Sequence, residues 1–314
     1  MKLRTLGKSG LQVSMVGLGC NNFGGRIDLE ASRKVVHKAL DLGITLFDTA
    51  DIYGEKGGSE SILGQFLGDR RKTIVLATKF GMPMDEAETL KGGSRRYMFS
   101  AIEASLRRLK TDWIDLYQLH QPDPLTPMEE TLRALEDLIR QGKVRYIGCS
   151  NLPAWQVVEA LWTARYLDLN RFVSCQDEYS LVVRDPERDL LPAVEAYGLG
   201  FLPYFPLASG LLTGKYKRSE PMPEGARLTK TQRLADRYLT DGNWRIVERL
   251  EGFCAERGRT LLELAFSWLA ARPAVSSVIA GATRPEQVEQ NVKAVGWTLS
   301  PDDLAEIDRL TNKA

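Results

Sequence analysis

The chain is poor in the residues that build metal and disulfide sites. Among 314 residues it has 2 histidines, His37 and His120, and 4 cysteines, Cys20, Cys149, Cys175 and Cys254, with no CxxC spacing. A disulfide scaffold and an ordinary zinc centre are both disfavoured, so no metal is expected. An excess of one charge is lacking too: 42 basic and 41 acidic residues leave a net +1, with no concentrated run of lysine and arginine. Neither nucleic acid nor an anionic membrane would find an electrostatic footprint here. No segment approaches the roughly 20 apolar residues that span a bilayer. The opening MKLRTLGKSG lacks the apolar run of a secretory signal. A soluble, cytoplasmic protein is the expectation. With 43% hydrophobic and 26% charged residues, the composition allows both a substantial core and a solvated surface.

What is present is alternation. After Gly7 to Gly10, read as a hairpin turn, short apolar runs exchange with helical periodicity along the whole chain. Strands are expected at Met15–Gly19, Ile44–Phe47, Thr73–Thr78, Ile114–Leu119, Val144–Gly148, Phe172–Cys175, Gly200–Tyr204 and Ser277–Ile279. Helices are expected at Leu29–Leu42, Glu60–Leu67, Phe99–Leu109, Trp155–Tyr166, Leu190–Tyr197 and Leu261–Ala271, and another opens at Pro285. A further helix ends at Gly142 and is expected to start with a capping box of Thr126 and Glu129 around Pro127. Eight such units, with no linker-like break over residues 1–314, point to one (β/α)8 barrel; an open doubly wound sheet is the alternative that spacing leaves. The stretch from Leu207 to Gly242 reads as a long loop or lid, and Ser300–Leu310 as an extra carboxyl-terminal helix.

In such a barrel chemistry gathers at the carboxyl ends of the strands. There the chain places Asp48 and Tyr53 after the second strand, Lys79 after the third, His120 after the fourth, Ser150 and Asn151 after the fifth, and Gln176 after the sixth. A tyrosine with an ordinary pKa of about 10 is a poor proton donor near neutrality, and a neighbouring ammonium favours its phenolate. Lys79 can act on Tyr53 in this way, Asp48 can hold Lys79 charged, and His120 can orient a carbonyl oxygen. Such a group suits general acid catalysis at a carbonyl. His37 reads as a surface or boundary residue. No GxGxxG fingerprint opens the chain, which disfavours a Rossmann site. A phosphate site fits the loops after the last two strands, Tyr204–Leu211 and Ile279–Arg284, with Pro285 starting a helix behind them.

Six passages resemble the aldo-keto reductase superfamily: FDTADIYG (47–54), ATKFG (77–81), SLRRLKTDWIDLYQLHQPD (105–123), GKVRYIGCSN (142–151), PLASGLLTGKY (206–216) and IAGATRPEQVEQN (279–291). The resemblance implies a (β/α)8 barrel that binds NADP(H), with NAD(H) the lesser candidate, and reduces an aldehyde or ketone. It implies a catalytic tetrad of Asp48, Tyr53, Lys79 and His120 with Tyr53 as proton donor. It also implies cofactor contacts. Gly19, Cys20 and Asp48 would lie near the nicotinamide ribose, Ser150, Asn151 and Gln176 at the carboxamide, and Tyr204 against the ring. Pro206, Leu207, Ser209, Gly210, Leu211 and Lys215 would hold the pyrophosphate, and Gly281, Thr283, Arg284, Gln287 and Asn291 the adenosine and its 2′-phosphate. Phe205 stands where a serine is common, Gln290 where a glutamate is common, and Gly281 where some members carry a lysine, which leaves Arg284 as the main basic partner. The substrate pocket would draw on loops around Asn21, Asn22, Phe23, Phe80 and Met82 and on the segment after Leu211. The resemblance extends to cytoplasmic β subunits of potassium channels, so a cofactor-sensing subunit on a protein partner is the alternative reading. Homo-oligomerisation is left open.

Overall fold

Eight short parallel strands form the centre of the molecule in a computed structural model that describes residues 1–312. They are preceded by an antiparallel hairpin, β1 (Leu3–Thr5) and β2 (Gln12–Ser14). The eight are β3 (Val16–Gly19), β4 (Leu46–Asp48), β5 (Val75–Phe80), β6 (Ile114–Leu119), β7 (Val144–Ser150), β8 (Ser174–Glu178), β9 (Gly200–Tyr204) and β10 (Val278–Gly281). They hydrogen-bond in the order β10-β3-β4-β5-β6-β7-β8-β9. The ring closes where Phe201 of β9 donates its N–H to Ala274 (2.8 Å) and accepts from Ser276 (2.9 Å), just before β10. This is the expected (β/α)8 architecture.

The strand pattern explains where polar groups collect. Leu46, Val75, Ala77, Leu116, Leu202 and Ile279 form one buried cluster with Leu6 and Val13 of the hairpin segment, which plugs the amino end of the barrel. Side chains two residues apart on a strand share a face. Asp48, Lys79 and Gln118 follow Leu46, Ala77 and Leu116 at that interval, so each inward apolar row ends in a polar group at the carboxyl end. Parallel strands covered by helices are buried on both faces, which is why the runs are short and continuously apolar.

Helices α1 (Leu29–Asp41), α2 (Tyr53–Phe66), α3 (Arg95–Leu109), α4 (Met128–Arg140), α5 (Ala154–Tyr166), α6 (Leu190–Tyr197), α7 (Arg227–Lys230), α8 (Gln232–Tyr238), α9 (Asp241–Glu256), α10 (Leu261–Ala271), α11 (Pro285–Lys293) and α12 (Pro301–Thr311) lie outside the strands. Three expectations are corrected. Thr126 does not cap α4: Pro127 is the N-cap in an extended conformation, without a side-chain cap bond, so Thr126 is one residue too early to reach the first turn. The Leu207–Gly242 stretch is not a plain loop, since α7, α8 and the start of α9 lie within it. Helix α9 itself carries Trp244, Val247, Leu250 and Cys254 on its buried face, an i, i+3, i+6, i+10 pattern that sequence reading passed over. At the far end Ser300 caps α12 in a reciprocal box with Asp303, and Ile307 packs inward.

Candidate active site

Tyr53 is set at the start of α2 by an unusual turn. Gly54, Glu55, Lys56 and Gly57 all have left-handed backbone, with φ of 68°, 60°, 66° and 115°. A Cβ on Gly54 would stand 2.4 Å from the Phe23 carbonyl oxygen, so only glycine fits. Non-glycine residues in this region are strained, and strain of this kind is concentrated where a site requires it.

The four expected catalytic residues converge. Lys79 is fully buried; its Nζ donates to Asp48 Oδ2 at 2.7 Å and to the Thr49 carbonyl at 2.9 Å, and lies 5.0 Å from the Tyr53 ring centroid. The Tyr53 and His120 rings meet edge to face with centroids 5.7 Å apart. Asp48 Oδ1 accepts from Gln176 Nε2 (2.9 Å) and from Gln118 Nε2 (3.2 Å). The buried carboxylate is thus compensated by one ammonium and two amides, the condition under which a buried ion pair persists. Gln118 was not singled out from the sequence, although its place two residues after inward-facing Leu116 was the signal.

Electrostatics correct one expectation. Burial is the largest influence on Tyr53 and pushes its phenol up; the Lys79 charge pulls it down by less, so the net shift is upward. Desolvation penalises the phenolate more than one neighbouring ammonium favours it. Tyr53 therefore keeps its proton. For Lys79 burial acts to lower the pKa, but Asp48 and Tyr53 outweigh it and the ammonium is held charged. His120 is lowered to about 3 by burial and then by Lys79, so its imidazole is neutral. Its Nδ1 is buried without a hydrogen-bond partner.

A cavity of about 980 Å³ runs from Tyr53 and His120 along the strand ends to α11. Asp48, Gly19, Cys20, Ser150, Asn151, Gln176, Tyr204, Pro206, Leu207, Ser209, Gly210, Lys215, Gly281, Thr283, Arg284, Gln287 and Asn291 all line it, as do Asn21 and Asn22. Leu211 does not: its side chain is buried in the core. Phe23 and Phe80 are likewise fully buried rather than pocket-forming, and Met82 is absent from the lining. Asn151, at φ 60°, links two walls, donating to the His120 carbonyl (2.9 Å) and accepting from Tyr204 OH (2.8 Å). Gln287 Oε1 accepts from the Thr283 N–H at 2.8 Å and steadies the loop after β10.

The cavity is strongly basic. Arg26, Lys215, Arg227, Arg284 and Lys293 line it against Asp48, Glu224 and Glu263, and none of these five cations has a carboxylate partner among the described residues. Burial and then the charges of Arg26 and Arg284 lower Lys215; burial and then Arg26 lower Arg227. An anion between cations gathered in this way would favour their charged forms. Ser209, at φ 58°, adds a buried hydroxyl with no partner, beside Ala208 and Gly210 at φ 45° and 100°. Arg26 and Arg227 were not anticipated: they lie outside the quoted motifs, and only folding brings them to the cavity. His37, in contrast, is exposed on α1 and packs edge-on to Phe66.

Among the described residues no helix is long and apolar enough to cross a membrane. Known proteins place the architecture in context. The family model for the aldo/keto reductase family matches residues 15–312. A probable voltage-gated potassium channel subunit beta of Arabidopsis thaliana is 40% identical over 304 residues, covering 94% of this chain and 91% of the relative. An uncharacterized oxidoreductase of Bacillus subtilis is 37% identical, covering 97% and 94%. An L-glyceraldehyde 3-phosphate reductase of Escherichia coli is 35% identical, covering 98% and 92%. With a family match over nearly its whole length and relatives above 30% identity over nearly theirs, the chain belongs to the aldo/keto reductase family of oxidoreductases.

Proposed function

We propose that the protein is an NADP(H)-dependent reductase of aldehydes or ketones, with Tyr53 as general acid. The observation that carries this reading is the placement of Tyr53 and His120 at one end of a cavity whose other walls hold five unpaired cations. A dinucleotide fits that cavity on charge. A 2′-phosphate adds roughly 1.5 to 2 negative charges to those of the diphosphate, which suits this excess of cations better than NAD(H) does. Ser209 and Lys215 would hold the pyrophosphate, Arg284 the 2′-phosphate, and Tyr204 the nicotinamide. When bound, the reduced cofactor supplies a hydride to the carbonyl carbon.

The chain's own residues do the rest. Tyr53 Oη gives its proton to the carbonyl oxygen. Lys79, kept charged by Asp48, stabilises the phenolate left behind, which is where a preorganised charge lowers the barrier. Neutral His120 hydrogen-bonds and orients the carbonyl oxygen without competing as an acid. Asp48, Gln118 and Gln176 keep Lys79 aimed.

Tyr53→Phe should cut NADPH oxidation by a panel of sugar, aromatic and short-chain aldehydes at least about 100-fold, with NADPH binding retained by fluorescence titration. Unchanged turnover would refute the role of Tyr53. Similarity to proteins named as potassium channel β subunits favours a second reading, in which the cofactor-bound barrel serves as a subunit on a membrane protein. Turnover by the isolated protein at physiological rates argues for the enzyme; stable co-purification with a channel argues for the subunit.

A further inference from the structure

Helix α5 is apolar on two opposite faces. Val157, Ala160, Leu161 and Ala164 are buried against the barrel and use one of them. Trp155, Trp162 and Tyr166 stand at i, i+7 and i+11, which on a 3.6-residue helix stacks them in a single stripe on the opposite side. They are 65%, 51% and 88% exposed. Every exposed tryptophan, tyrosine or phenylalanine among the described residues is one of these three. An ordinary solvated helix face carries charges instead; a helix with apolar residues on both sides is one that is covered on both sides.

The stripe has the size and the order of an interface. Its three rings present roughly 400 Å², the scale of patch that marks an interaction site and about half of the roughly 800 Å² that each side gives to a stable interface. The central ring is held in place before any association. Trp162 Nε1 donates to Tyr197 OH of α6 at 2.9 Å, and the Arg165 guanidinium lies 5.1 Å from the Trp162 ring. A prearranged ring loses little entropy on burial.

The edges identify the occupant. Glu159 and Arg165 stand three residues before and three after Trp162, on opposite flanks of the stripe, both exposed. Neither forms an ion pair among the described residues. One flank is acidic and the other basic, so the surface complements itself. We infer that this stripe is the interface with a second copy of the chain, two α5 helices lying side by side and parallel about a two-fold axis that runs along them. That symmetry turns the acidic flank of one copy to the basic flank of the other, so Glu159 faces the partner's Arg165, and the contact occurs twice. The stripes meet at the centre, where Trp and Tyr supply rigid apolar area.

The test is sedimentation velocity of the full chain across roughly 1 to 100 µM, a range that reads dissociation constants of ordinary dimers. The wild type should sediment as a dimer. Trp162→Glu should weaken association at least about thirty-fold, the loss expected of a central anchor, with an unchanged far-UV circular dichroism spectrum because the site is on the surface. Glu159→Arg should weaken it about tenfold by opposing two cations, and the double variant Glu159→Arg/Arg165→Glu should restore wild-type affinity. A wild type that is monomeric throughout, a Trp162→Glu protein that associates like the wild type, or a double variant no better than Glu159→Arg would each overturn the inference. None of these readouts depends on cofactor or turnover, so the result is separate from the proposed activity.

Discussion

Asp51→Asn should stabilise the protein at alkaline pH and lose that advantage on acidification. Asp51 is 1% exposed beside the Tyr53 turn. Its Oδ2 accepts from Tyr97 OH at 3.1 Å, and its Oδ1 has no partner. The groups around it are Glu60 of α2, Tyr97 and Arg108 of α3, and Tyr117 of β6. Arg108 is already paired with Glu60 at 2.7 Å. Burial, then the Glu60 charge, pushes the Asp51 carboxyl from 3.8 up to about 7. The folded chain therefore keeps a proton that the unfolded chain has lost between about pH 4 and 7, and stability falls as the pH rises through that window. At about 1.4 kcal/mol for each tenfold change the penalty approaches 4 kcal/mol above pH 7. Asparagine removes it but leaves an amide N–H₂ short of partners, which costs about 1–3 kcal/mol. The net gain at pH 8 is then about 1–3 kcal/mol, and it reverses in sign between about pH 4.5 and 6, where the penalty of about 1.4 kcal/mol per pH unit falls below the cost of the amide. Urea denaturation followed by circular dichroism at several pH values from about 4 to 8 measures the difference. A gap between variant and wild type that stays constant with pH would refute the reasoning.

Other consequences are equally open to measurement. Lys79→Met leaves Asp48 charged and buried with only Gln118 and Gln176 to compensate it, and should lower unfolding free energy by about 3–5 kcal/mol; adding Asp48→Asn should recover part of that, and a double variant worse than the single would contradict the pairing. Because burial and then Lys79 lower His120 to about 3, its imidazole NMR signals should show no titration above about pH 5. A midpoint near 6.5 for His120 would contradict its burial beside Lys79. On the cofactor reading, Arg284→Ala should weaken NADPH binding about tenfold or more by loss of a charge-assisted contact and leave NADH nearly unchanged; equal losses for both would remove Arg284 from the 2′-phosphate site.

Much of the site was legible because barrel topology converts chain order into place. A polar residue just after an apolar strand points to the carboxyl mouth whatever its partners, and so Asp48, Lys79, His120, Asn151 and Gln176 could be grouped before any distance was known. Gln118 was missed for a specific reason: it lies inside its strand, one pleat earlier, and reads as strand filler unless inward and outward positions are separated. Phe23 and Phe80 erred the other way. Phe80 ends β5 one residue after inward-facing Lys79, so alternation turns its ring into the core, while Phe23 is buried in the loop after β3 beside cavity-lining Asn22. Leu211 lies in the loop after β9 between cavity-lining Gly210 and Thr213, yet its own side chain is buried in the core.

The sequence by itself determined the order of the eight barrel strands and of the helices that alternate with them, though not α7 to α9, and the chemical identity of the groups at the strand ends, because both are local: hydrophobic period and strand termini are written in neighbouring residues. Only the tertiary structure decided how those groups behave. Tyr53 keeps its proton because burial outweighs Lys79, a balance of desolvation and charge that depends on distances between β4, β5 and α2. Arg26 and Arg227 join Lys215 and Arg284 because the ring closes between β9 and β10 and folds their loops over one cavity. Through-space terms of this kind have no signature in the order of residues along the chain.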